Sequence, residues 1–144
     1  MTAILDHIQS LESYVERSGG RLLRTSLPEW VQGRVFSDLI TLRADLNPEQ
    51  QLLTLVHELV HWLAHRDAGA HTHCAHCTIF EYEAEAVEAL VMARLGLPRT
   101  GHSAQLGDEG PTDGLLSASV TRVMWASRRI CDALGLEQNA TSEP

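Results

Sequence analysis

The twenty residues from Asn47 to Arg66, Asn-Pro-Glu-Gln-Gln-Leu-Leu-Thr-Leu-Val-His-Glu-Leu-Val-His-Trp-Leu-Ala-His-Arg, constrain this chain more than any other stretch. Asn47 suits a helix N-cap, Pro48 suits the first helical position, and Gln50 is placed to close a capping box. The pattern predicts a helix from Pro48 to about Arg66. Leu52, Leu53, Leu55, Val56, Leu59, Val60 and Leu63 leave it little polar surface, and a helix apolar nearly all round lies inside a protein. His57, Glu58 and His61 are thereby committed to a buried element, where polar groups need partners.

Residues four apart on a helix lie ~40° apart in azimuth and ~6 Å apart along the axis. His57 and His61 can therefore converge on one ion, with each nitrogen at roughly 2.0–2.1 Å. Glu58 is turned ~100° from His57, so it does not ligate but can reach a water on the metal. A bound zinc lowers the pKa of such a water towards ~7, and a carboxylate can then act as general base. The plainer alternative is a pair of hydrogen-bonded core histidines, which leaves Glu58 buried without a reason.

Two histidines do not complete a site. His65 is ~12 Å along the helix axis from His57, too far to share an ion, and is expected at the helix end or rim. The helix expected from about Ile79 to Leu95 carries Phe80-Glu81-Tyr82-Glu83-Ala84-Glu85-Ala86-Val87-Glu88. Glu81, Glu85 and Glu88 share one face at i, i+4 and i+7, whereas Glu83 points away. Three acids on one face need either solvent or a positive partner. A zinc ion held by two neutral histidines is such a partner, and a solvated acidic face is the alternative.

The remainder reads as a small α+β scaffold. Ile4, Leu5, Ile8, Leu11 and Val15 form the stripe of a first helix over about 2–18, closed by Gly19-Gly20. Arg21–Thr25, Gly33–Ser37 and Leu39–Arg43 read as strands, with a turn near Ser37-Asp38. We expect them to pair into a three-stranded antiparallel sheet, with Leu39–Arg43 as the edge that would hold an extended substrate. A polar, Gly-rich connection over 99–114 leads to a fourth helix from about Gly114 to Leu134, whose core side is expected at Leu115, Leu116, Val120, Val123, Met124 and Ile130. Residues 1–138 are expected to form one domain and 139–144 a loose tail.

The net charge of −8 argues against binding to phosphate backbones or anionic membranes. No apolar run approaches ~18 residues. The opening Met-Thr-Ala-Ile-Leu-Asp-His has an acid where a secretion signal carries basic residues, and three cysteines make no disulfide framework, so a reduced cytoplasmic setting is expected. His71, His73, Cys74, His76 and Cys77 crowd one short loop. They could hold a second, structural zinc, although closing four ligands within so short a loop is sterically awkward and no distant Cys-x-x-Cys completes it. A surface loop beside the cleft is the simpler reading. His71, Tyr82 and His102 are candidates to stabilise an oxyanion, and Cys131 is expected to be a small buried hydrophobe.

Residues 39–97, with Thr-Leu-Val-His-Glu-Leu-Val-His-Trp-Leu, then Glu-Tyr-Glu-Ala-Glu-Ala-Val and then Leu-Gly-Leu, resemble the ImmA/IrrE-type zinc metallopeptidase superfamily. The same order occurs in antirestriction-associated ArdC-like domains. The second motif is also similar to the Glu-x-x-Ala-Asp element of the prenyl-protein and heat-shock membrane peptidases. The Ser-x-x-Arg-Val run at Ser119–Val123 matches more weakly. The resemblance implies a minimal zincin-like fold with His57, His61 and Glu81 as zinc ligands, Glu58 as general base and Glu85 supporting a ligand from behind. It further implies hydrolysis of a peptide bond in a specific protein partner, such as a repressor. The competing reading is a regulatory or antirestriction module that keeps the metal for stability and acts by contact; a third is a metal-handling protein built on the His/Cys loop.

Overall fold

The computed structural model describes residues 2–65, 75–98 and 116–136. The elements run α1 (Thr2–Arg17), β1 (Arg21–Thr25), β2 (Gly33–Phe36), β3 (Leu39–Arg43), α2 (Pro48–Val60), a π-helical turn (His61–His65), α3 (Ala75–Leu95) and α4 (Leu116–Ala133). The class is α+β, with four helices and one three-stranded sheet.

The sheet is mixed, which corrects the antiparallel expectation. Its order is β1-β3-β2. β2 and β3 form an antiparallel hairpin with Phe36 opposite Leu39, so the turn is Ser37-Asp38, and Ser37 takes φ 57° there. β1 instead lies parallel to β3, with Arg21 opposite Leu39 and Thr25 opposite Arg43. The cause is the segment 26–32, which carries the chain past the position of β3 to the far edge before the hairpin returns. Backbone bonds from Arg43 N–H to the Gln32 carbonyl and from Ala44 N–H to the Thr25 carbonyl, both near the end of β3, secure this arrangement. β3 is therefore the central strand, its backbone groups used on both sides, and it offers no edge to a substrate. β2 is an outer strand, and it passes beside α2.

α2 starts as its sequence requires. Asn47 is extended (φ −74°, ψ 168°), its side chain accepts from Gln50 N–H, and the Gln50 side chain accepts from Asn47 N–H in return. Every residue from Leu52 to Val60 is buried, because α1, the sheet, α3 and α4 all pack around α2. Regular helix stops at Val60 and the chain continues to His65 as a wider π turn, where straight helix was expected. Such turns are frequent at functional sites.

One cluster of buried apolar side chains joins all four helices and β3, drawing Leu11 and Val15, Ile40 and Leu42, Val87 and Val91, and Ala126 and Ile130 onto α2. Two stripes differ from expectation. Leu5 is half exposed while Ile4, Ile8, Leu11 and Val15 are buried. On α4 the buried side runs through Ser119, Ala126, Ser127, Ile130 and Cys131, leaving Val120 and Met124 half exposed. The helix is rotated towards its small and polar residues because Ser119 and Arg122 have a buried partner on α3. α3 begins at Ala75, a turn earlier than expected. Among the described residues, no helix is long and apolar enough to cross a membrane.

Candidate metal centre

α2 and α3 pack side by side, and their facing side chains form a compact polar cluster inside an apolar frame. His57 Nε2 lies 2.9 Å from Glu81 Oε1, His61 Nε2 lies 3.0 Å from Glu81 Oε2, and the two Nε2 atoms are 3.3 Å apart. Among the described residues, His57, His61 and Glu81 are the group whose ligand atoms meet within metal-binding reach. A tetrahedral ion with bonds of ~2.0–2.1 Å separates its ligand atoms by ~3.3–3.4 Å, close to this spacing. The donor set fits a cation on a second ground. Both Nδ1 atoms are engaged elsewhere, so the two Nε2 atoms and a carboxylate are aimed at one point. A divalent ion that displaces the Nε2 protons would take all three groups as ligands at once. The Glu81 side chain is 43% exposed, so the cluster opens to solvent on that side.

Each histidine is held from behind. His57 Nδ1 faces Glu88 Oε2 at 2.5 Å, and Glu88 is completely buried. His61 Nδ1 faces His65 Nδ1 at 2.8 Å, and His65 Nε2 faces Glu83 Oε1 at 2.7 Å. Carboxylates behind ligating histidines fix the ring's orientation and tautomer. The resemblance implied a supporting role for Glu85. The structure brings Glu88, one turn further along α3, to His57, and Glu85 is half-buried on the same helix. His65 was expected at the helix end or rim. It is a buried residue, 7% exposed and stacked on Phe80 at 4.1 Å, and it contacts His61 rather than sitting on a rim. Glu83 does turn away from the Glu81 face, but into the protein, where Ser119 and Arg122 of α4 meet it. Its 2% exposure shows how fully α4 covers it.

These placements explain the local electrostatics. Burial disfavours the His57 imidazolium, yet Glu81 and Glu88 more than offset this and raise its pKa to about 10. Burial would also raise the Glu81 carboxyl, but hydrogen bonds from both histidines hold it well below the usual carboxylate range. Burial pushes Glu58 upward, against the pull of His61 and His57. Burial lowers His65 to about 4 despite its bond to Glu83. A buried carboxyl with a raised pKa beside candidate metal ligands is an environment in which general bases are found.

Glu58 leaves the histidine face and turns towards β2. A Cβ built on Gly33 would stand 2.9 Å from Glu58 Cγ and 2.9 Å from Thr54 Cγ2, so the glycine lets the strand pass against the helix at this point. Tyr82 is half-buried on α3. His71, His73, Cys74 and His102 lie outside the described residues, as do the connection over 99–114 and the tail at 139–144; His76 and Cys77 fall in the first turn of α3. Cys131 is buried, and burial raises its thiol pKa.

Glu88, His65, Glu83, Ser119 and Arg122 were not assigned these supporting roles from sequence. The available signals were the i+7 spacing of Glu88 from Glu81 and the Ser-x-x-Arg run on α4. Neither states which buried group it meets. No curated protein and no solved structure is detectably similar to the chain. One family model, that of the IrrE N-terminal-like domain, a peptidase family, matches residues 15–124.

Proposed function

The chain belongs to the IrrE N-terminal-like domain family, and on that premise we propose that it is a zinc-dependent peptidase acting on a specific protein partner. The observation that carries the reading is the convergence of His57 Nε2, His61 Nε2 and Glu81 on one point, with Glu58 buried beside them. His57, His61 and Glu81 would hold the ion. Zinc supplies Lewis acidity there, polarising a scissile carbonyl and acidifying a water.

The remaining work falls to the chain's own residues. Glu58 takes the proton of the attacking water and delivers it to the leaving amine. Glu88 keeps the His57 ring oriented. The substrate lies along β2, the outer strand beside Glu58, in extended form and bonded through backbone groups.

Glu58→Gln separates this reading from a metal-stabilised binding module. Labelling new protein N-termini in a lysate treated with the zinc-loaded protein should reveal discrete cleavage that the variant lacks, with zinc content unchanged. Cleavage that persists in the variant rules out Glu58 as base. Biological activity that survives the substitution in the absence of any cleavage favours the binding module.

A further inference from the structure

Behind His61 lies a second polar array, which the proposed chemistry does not use directly. His65 of the π turn, Glu83 of α3, and Ser119 and Arg122 of α4 form a continuous chain of hydrogen bonds. His65, Glu83 and Ser119 are each at least nine-tenths buried. Glu83 Oε1 accepts from Arg122 Nε at 2.8 Å, and Oε2 accepts from Arg122 Nη2 and Ser119 Oγ, both at 2.7 Å. Such a carboxylate is acceptor only. The ring nitrogen that faces Glu83 Oε1, His65 Nε2, must therefore be the donor. A neutral imidazole has one N–H, so His65 Nδ1 carries a lone pair. The atom facing it at 2.8 Å is His61 Nδ1, which must then supply the proton. With that proton on Nδ1, Nε2 is the nitrogen of His61 turned towards Glu81 and His57 and left to ligate a metal. Phe80, stacked 14° from parallel on His65, keeps the ring from turning and exchanging its nitrogens.

We propose that His65 is the positioning residue of the His61 ligand, with its own proton set on Nε2 by Glu83 and the α4 residues Ser119 and Arg122. The inference deepens the zinc-site reading and rests on it for its consequence, but the array can be tested without peptidase activity. It also gives α4 a role. By covering Glu83, α4 fixes the proton that orients a ligand two residues away in the chain of bonds.

Two measurements test it. Nitrogen-15 imidazole spectra of the full chain, metal-free and zinc-loaded, should show His65 protonated on Nε2 alone and His61 protonated on Nδ1 in both states. His65 found protonated on Nδ1 overturns the proposal, whether or not zinc binds. The second measurement is zinc affinity by chelator competition in His65→Phe, which keeps a flat ring to stack on Phe80 while removing both nitrogens. Loss of a behind-the-ligand partner costs about ten- to a hundredfold in metal affinity, and that loss is expected here. Affinity within about twofold of the parent overturns the proposal. If His65→Phe does not fold, the spectra of the unmodified chain decide alone. A parent chain that binds no zinc would refute the peptidase reading and leave the proton assignment to stand or fall on the spectra.

Discussion

Replacing Gly33 by alanine probes the seam between the outer strand and the buried helix. The new Cβ would stand 2.9 Å from Glu58 Cγ, 2.9 Å from Thr54 Cγ2 and 3.1 Å from the Thr41 carbonyl oxygen. Carbon atoms rest about 3.5–4.0 Å apart, so roughly 0.6–1.1 Å must be found at two places at once. Neither neighbour yields easily. The Thr54 hydroxyl is bonded to Gln32 Oε1 at 3.1 Å, and turning the side chain to move Cγ2 breaks that bond. Glu58 is 8% exposed and has no open solvent to swing into. The helix beneath cannot retreat, because Leu52, Leu55, Val56 and Leu59 are fully buried on its other sides. Overpacking of this kind costs about 1–3 kcal/mol. In a domain of this size that lowers the melting temperature by roughly 3–10 °C. The assay is thermal unfolding followed by circular dichroism on metal-free and zinc-loaded protein. The drop should be equal in both, since the clash is with Thr54 and Glu58 and not with a proposed ligand. A melting temperature within about 1 °C of the parent would refute the reasoning, because the strand could not then be seated on Glu58.

Zinc binding should strengthen with pH. The metal-free His57 holds its proton up to about pH 10, and a ligating Nε2 must be bare, so each unit of pH between about 7 and 10 should raise the affinity by up to tenfold. Isothermal titration across that range reads the slope, and a flat profile would contradict it. The same raised pKa means that the metal-free fold gains stability from His57 below its ordinary value of 6.5 and loses that contribution as pH rises through about 10. Asn47→Ala removes half of the capping box on α2 and should cost about 1 kcal/mol in urea unfolding. No loss would show that the core alone sets where this helix begins. The double substitution Cys74→Ser, Cys77→Ser should leave one zinc per chain by elemental analysis; loss of metal would point to the His/Cys loop instead.

The pairing of His57 with His61 was readable from the sequence because it depends only on helical geometry over four residues, in a helix whose cap, proline and apolar run all agree. The same holds for the hairpin turn at Ser37-Asp38 and for the burial of α2. Other features depend on contacts between distant segments, and no local pattern reports them. β1 reads as a strand whichever way it pairs. Only the course of 26–32 around the hairpin makes it parallel to β3 and puts β2 rather than β3 beside Glu58. The acids of α3 lie on a helix with buried positions on more than one side, so spacing alone could not assign them separate partners. Glu81 meets both histidines, Glu88 meets His57, and Glu83 meets His65 and α4, because α2 and α4 pack against different sides of α3. His65 shows the distinction most plainly. Measured along a straight helix it is too far from His57 to share an ion, and nothing local says what it does instead. Only the π turn, the Phe80 ring and a carboxylate eighteen residues away make it the partner of His61.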